Sequence, residues 1–136
     1  MTMRRFITVP AVRWLALLAL CGAYIQGGLV KLMDFGGAQA EMDHFGLHPA
    51  ALAAAAVIVL ELGASALILA GRLRWLGALA LAAFTAAAAL MANRYWEAPA
   101  DTRFMAMNAF YEHLGLAGAW VLVAWHDLTE RPHGRN

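Results

Sequence analysis

Residues 57–86 read VIVLELGASALILAGRLRWLGALALAAFTA, two apolar runs joined by the basic connection GRLRW. The connection is so short that the runs on either side must be antiparallel neighbours if both are helices. The first run carries a carboxylate, Glu61, among apolar and small residues, and the second carries no charge. Cutting the rest of the chain at its charges gives two more such runs, so the apolar stretches are 14–30, 50–71, 75–93 and 104–125. Each is near the roughly 20 residues that cross a hydrocarbon core of about 30 Å, the first being short unless Arg13 and Lys31 snorkel.

Composition agrees with lipid as the solvent. Of 136 residues, 62% are hydrophobic and 14% charged, against about 45–50% and 25% in soluble domains. Four spans with almost no polar face would leave a soluble helical domain nothing to show to water. The length fits one domain. Net charge is +1, and no basic cluster exceeds two residues, so there is no footprint for nucleic acid. Cys21 is the single cysteine, which excludes an internal disulfide and a CxxC redox pair. The N-terminus resembles a signal peptide, but no small-x-small site follows its apolar run before Gln26 and Leu20 precedes Cys21, so the segment is expected to stay as a membrane span.

Arg4, Arg5, Arg13, Arg72, Arg74, Arg131 and Arg135 fall on one side of these spans, and Lys31, Arg94 and Arg103 on the other. By the positive-inside rule both termini are cytoplasmic, and the 31–49 and 94–103 connections face outward. The expected fold is therefore an all-α membrane protein, a bundle of four transmembrane helices. A cytoplasmic segment 1–13 precedes the membrane domain 14–125, and a cytoplasmic tail 126–136 follows it. Within the 31–49 connection, EMDHFG is expected to form a short helical turn that GLHP ends at Gly46 and Pro49. The chain also echoes itself: RWLALLAL at 13–20 matches RWLGALAL at 74–81, and LELGASALIL loosely matches EHLGLAGAWVL. Either a parallel repeat of two spans each or the likeness of any two alanine- and leucine-rich helices accounts for this.

Small residues let membrane helices approach. Gly22, Gly27 and Gly28 in the first span, Ala54, Gly63, Ala64 and Ser65 in the second, the stripe Ala78, Ala82, Thr85, Ala89 and Asn93 in the third, and Gly115 and Gly118 in the fourth are expected to face the interior, with the polar residues beside them. At about 1.5 Å per residue, counted from the outer ends of the spans, Glu61 lies about 16 Å deep, His113 about 15 Å, Glu112 about 14 Å and Gln26 about 12 Å. Lys31, Asn93, Arg94 and Asn108 lie within roughly 8 Å of the outer boundary. This gives a polar funnel opening outward, closed below by Ile68, Leu79 and Leu122. The candidate ligand-binding or proton-relay residues are Gln26, Lys31, Glu61, Asn93, Asn108, Glu112 and His113. On depth, His113 and Gln26 are the expected partners of Glu61, and Lys31 is expected to pair with Glu112 or Asn108. Ionisable residues inside a membrane mark functional sites by default. Glu41, His44 and His48 have helical ligand spacing, but Gly46 interrupts the helix, so no metal site is assigned to them. Tyr24, Trp96 and Trp120 are candidates to line a quinone or lipid cleft.

The chain resembles the DoxX family of small bacterial membrane proteins over about residues 12–125. The resemblance rests on GGLVKLMDF, MDHFGLHPA, the stretch from Val57 to Ala86, NRYW, and FYEHLGLAGAW, in that order. Lys31, Phe35, Gly46, Glu61, Gly63 and Gly118 match its recurring positions. Many members have a histidine where this chain has Asn93 and an asparagine where it has His113. The resemblance implies a multi-pass protein of the bacterial inner membrane and a link to thiosulfate:quinone oxidation or to redox-defence enzymes. On this reading the chain is an accessory subunit of an oxidoreductase system rather than an enzyme on its own. Its partners would be membrane lipid, a redox partner protein and further copies of itself. No cofactor motif is evident beyond a possible quinone, and the outward-facing pocket is expected to take a small molecule, quinone-like or anionic, with Lys31 attracting it. A proton-coupled transporter module and an assembly scaffold are the alternative readings.

Overall fold

The computed structural model describes residues 3–130; Arg131 and Arg135, counted above toward the cytoplasmic side, lie outside the described residues. The described chain is helical, with no strand: α1 (Met3–Ile7), α2 (Pro10–Met33), α3 (Phe35–His44), α4 (Ala50–Ala70), α5 (Arg74–Ala92), a 3-10 turn at Tyr95–Glu97, and α6 (Arg103–Glu130). It divides into two compact units at Arg72/Leu73. Among the described residues three segments are long and apolar enough to cross a membrane: Pro10–Met33, Ala50–Ala70 and Arg74–Glu97. Helix α6 has 28 residues, about 42 Å of helix, but Asn108, Glu112, His113, His126 and Asp127 make it more polar.

In the first unit, α2 starts at Pro10, whose missing N–H costs nothing in a first turn. It runs through Lys31 to Met33, beyond the expected end at residue 30. The chain then turns at Asp34, whose Oδ1 accepts the Gly37 N–H at 3.0 Å and caps α3. The expected connection is thus mostly a helix, longer than the turn anticipated over EMDHFG. Its Ala38 and Met42 bury against Ala54, with Phe35, Ala50, Ala53 and Val57 packed around them. α3 therefore lies along the first two turns of α4. Gly46 ends this segment at φ +71°, a left-handed conformation that glycine adopts without a Cβ penalty.

Helices α2 and α4 pack on each other, and their buried residues are Leu17, Cys21, Tyr24 and Gly28 on one and, beyond the turns that α3 covers, Ile58, Glu61, Ala64, Ser65 and Ile68 on the other. Both sets recur every three or four residues, one face of a helix. The Trp14 indole N–H donates to the Leu69 carbonyl at 3.2 Å, tying the first turns of α2 to the last of α4. The helices come close at Gly28, where a Cβ would sit 2.7 Å from Leu62 Cγ. Gly63 was expected on this face and is exposed instead.

In the second unit α5 packs on α6. The stripe read from sequence is the packed face: Ala78, Ala82, Thr85 and Ala89 are buried and Asn93 half-buried. Opposite stand Ala117, Trp120, Ala124 and Asp127. Gly115 and Gly118 are exposed with no atom within 4 Å of an added Cβ, so bulky Trp120 rather than glycine fills this interface. Leu79 and Leu122 are exposed too, and of the three residues expected to close the funnel only Ile68 is buried. The tail expected from residue 126 is helical to Glu130, and it has a role: Asp127 Oδ2 accepts the Trp75 backbone N–H at 3.0 Å. Leu73, at φ +49°, offers α5 no side-chain cap, so a carboxylate from α6 supplies one of the first-turn acceptors.

Candidate functional site

Glu61 is 5% exposed, and its carboxylate meets Lys31: Nζ lies 3.6 Å from Oε2. The pairing corrects the depth estimate, which placed Lys31 with Glu112 or Asn108. Because α3 covers the first two turns of α4, residue 50 does not start level with the end of α2, and Glu61 comes level with Gly27 and Gly28. A helical side chain slants toward the N-terminus of its own helix, so Lys31 reaches back one turn over Gly27. There an added Cβ would lie 3.3 Å from Glu61 Oε1 and 3.6 Å from Lys31 Nζ. Gly27 thus leaves the space the pair occupies.

Glu61 Oε2 is buried and has no hydrogen-bond partner, its contact with Lys31 being longer than a hydrogen bond. One turn further along α4, Ser65 Oγ donates to the Glu61 backbone carbonyl at 2.7 Å and leaves the carboxylate alone. Gln26, the other expected partner, is exposed. It stands two residues from both Tyr24 and Gly28, about 200° around the helix from the packed face.

The second unit holds another polar pair. Asn93 Nδ2 and His113 Nδ1 are 3.5 Å apart, and Nδ1 is 2.7 Å from the Ala109 carbonyl. Beside it four rings meet edge to face or tilted: Tyr95 with Trp96 at 5.3 Å, with Phe110 at 5.5 Å and with Tyr111 at 6.2 Å, and Trp96 with Phe110 at 5.6 Å. Phe110 and Tyr111 are absent from the sequence-based candidates, although FYEH places both next to His113, as NRYW places Tyr95 and Trp96 next to Asn93. Arg94 pairs with Glu97 across the 3-10 turn. Asn108 and Glu112 are exposed. Tyr24 and Trp120 are buried packing residues, while Trp96 is exposed. His48 faces Asp43, Nδ1 to Oδ1 3.2 Å, and among the described residues no three metal-ligating side chains converge.

The DoxX family model matches residues 14–94 of this chain, from the first turns of α2 through α5 and both members of the Lys31–Glu61 pair. The chain belongs to the DoxX family. Helix α6, with His113 and Gly118, lies beyond that match. The chain is also 29% identical over 115 residues to the inner membrane protein YphA of Escherichia coli (strain K12), an alignment covering 85% of this chain and 82% of the relative. No solved structure matches. With three apolar helices of spanning length, this DoxX protein is a multi-pass protein of the bacterial inner membrane.

Proposed function

We propose that this DoxX protein is an accessory membrane subunit of a redox or stress-response system, with four spans, both termini cytoplasmic, and a polar pocket at Lys31 and Glu61 for a small molecule. What carries the reading is Glu61 Oε2, a buried carboxylate oxygen with no hydrogen-bond donor. Burying a carboxylate is costly unless it is paired and its remaining lone pairs are satisfied. Lys31 supplies charge without a hydrogen bond, so the site has an unmet need for a donor. The two ligand classes weighed from sequence now differ. An anion would have to compete with Glu61 for Lys31, whereas a quinol-like hydroxyl would donate to Oε2 and leave the pair in place. The site therefore favours a neutral donor.

Native mass spectrometry of the protein extracted from its own membrane tests this. A small molecule retained by the wild type and lost from Glu61→Gln supports the pocket; the same bound species in both removes it. A proton-coupled transporter is the second reading, favoured by an ion pair between two apolar helices with its carboxylate buried. Proton or solute flux in liposomes that Lys31→Met abolishes would select it over the accessory subunit.

A further inference from the structure

The two units are built to one plan. In the register that lays Arg13-Trp14 on Arg74-Trp75, the four buried residues of α2, Leu17, Cys21, Tyr24 and Gly28, fall on Ala78, Ala82, Thr85 and Ala89, all buried in α5. In the register that lays Leu62-Gly63 on Leu114-Gly115, Ser65 and Ile68 fall on the buried Ala117 and Trp120, and Gly63 and Ala66 on the exposed Gly115 and Gly118, while Ala54, Ile58, Glu61 and Ala64 fall on half-buried positions of α6. Both registers come from sequence identity alone, so the agreement in burial is independent of them. In each unit a hydrogen bond also joins the tryptophan near the start of the first helix to the end of the second, from the Trp14 indole N–H to the Leu69 carbonyl in one and from the Trp75 backbone N–H to the Asp127 carboxylate in the other. The same registers carry Glu61 onto His113 and Lys31 onto Ala92, the neighbour of Asn93.

We infer that the chain is a duplicated two-helix hairpin in which His113 stands at the second hairpin's copy of Glu61, with Asn93, one residue past the counterpart of Lys31, beside it, and with His113 Nε2 as a proton-accepting group for a ligand's hydroxyl or amine. This rests on the reading of Lys31 and Glu61 as a site. A carbonyl oxygen only accepts, so the 2.7 Å contact with Ala109 requires the proton on Nδ1. In the neutral ring Nε2 then holds the lone pair. With Nδ1 protonated, the Asn93 amide is best satisfied with its oxygen toward the ring. Both hairpins thus offer an acceptor at one register position, a carboxylate oxygen in the first and an imidazole nitrogen in the second. Where Gly27 makes room for the lysine of the first pair, the second hairpin has Ala88, and no lysine follows it.

Two measurements on the full chain test the inference. Nitrogen-15 NMR of histidine-labelled protein in nanodiscs, with His113 assigned by the signal lost in His113→Gln, should show the Nδ1–H tautomer. The Nε2–H tautomer overturns the acceptor role. For the duplication, the first site is transplanted into the second hairpin. His113→Glu alone should lower the unfolding midpoint, and Ala88→Gly, Ala92→Lys, His113→Glu together should regain at least half of that loss. The same glutamate with Met91→Lys, a register off, should regain none. A triple variant no better than the Met91→Lys control overturns the equivalence. Neither measurement depends on a ligand at Glu61, so failure here is separable from failure of the pocket.

Discussion

Gly28→Ala should weaken the α2–α4 hairpin, and the distances set the size of the effect. The new Cβ would lie 2.7 Å from Leu62 Cγ and 2.8 Å from its Cδ2, where carbon atoms rest at about 3.5–4.0 Å. The helices must part by roughly 1 Å or Leu62 must leave its rotamer, and overpacking of this kind costs about 1–3 kcal/mol. Alanine's advantage over glycine within a helix returns about 0.5–1 kcal/mol. The net loss is therefore about 0–2.5 kcal/mol, centred on about 1 kcal/mol. Gly22, on the same helix, has no atom within 4 Å of an added Cβ, so Gly22→Ala keeps the propensity gain and should be neutral or stabilising. Leu62→Ala should relieve the clash, so Gly28→Ala should cost less in that background. Unfolding of purified protein by SDS titration in mixed micelles, followed by tryptophan fluorescence, reads all four variants on one scale. If Gly28→Ala and Gly22→Ala agree within about 0.5 kcal/mol, or if Leu62→Ala gives no relief, the close approach at Gly28 is wrong, and with it the position of Glu61 beside α2. The threshold is set by the smaller of the two effects, the propensity gain.

Three further outcomes follow from single contacts. Lys31→Met leaves the buried Glu61 carboxylate without its counter-charge and should cost about 3 kcal/mol, the low end for a buried pair because Lys31 is partly exposed; Lys31→Met with Glu61→Met should cost less than Lys31→Met alone, and a double variant at the sum of the singles would deny the pairing. Asp127→Ala should cost about 1–2 kcal/mol by removing the acceptor for the Trp75 N–H, while Leu73→Gly should gain up to about 1 kcal/mol by relieving a left-handed non-glycine residue; the same titration with no change in either variant would contradict the cap. Cys21 is fully buried in the α2–α4 interface, so a maleimide should modify it in SDS and not in mild detergent, and rapid labelling of the folded protein would place it elsewhere.

Helix positions were legible because they follow from charge and length. The runs 50–71 and 75–93 differ from α4 and α5 by a residue or so, since GRLRW can be nothing but a turn and the apolar residues on each side need no tertiary information. The stripe from Ala78 to Ala89 was legible for the same reason, one face of one helix. Gln26 could have been placed from sequence as well: its position opposite Tyr24 and Gly28 follows from helical periodicity, and level alone was the wrong criterion. Gly63, Gly115 and Gly118 misled because a small residue permits a close approach without requiring one. Of the glycines expected to face the interior, Gly27 and Gly28 alone have a neighbour in the space a side chain would take.

The partner of Glu61 was not legible, because it depends on where the chain goes between two helices. Depth counted from Ala50 assumes that α4 begins level with the end of α2. That fails once Asp34 caps a new helix that packs Ala38 and Met42 onto Ala54, since the first two turns of α4 then serve α3 and only the next turn meets α2. A local capping interaction at Asp34 thus decides which cation reaches the carboxylate. It also changes the chemistry expected of the site. A funnel with a free lysine at its mouth would collect anions, whereas a lysine held against Glu61 cancels its own field at short range and leaves a carboxylate oxygen short of one donor. Selectivity at such a site comes from hydrogen bonding rather than charge, which is also the property the His113 imidazole would share.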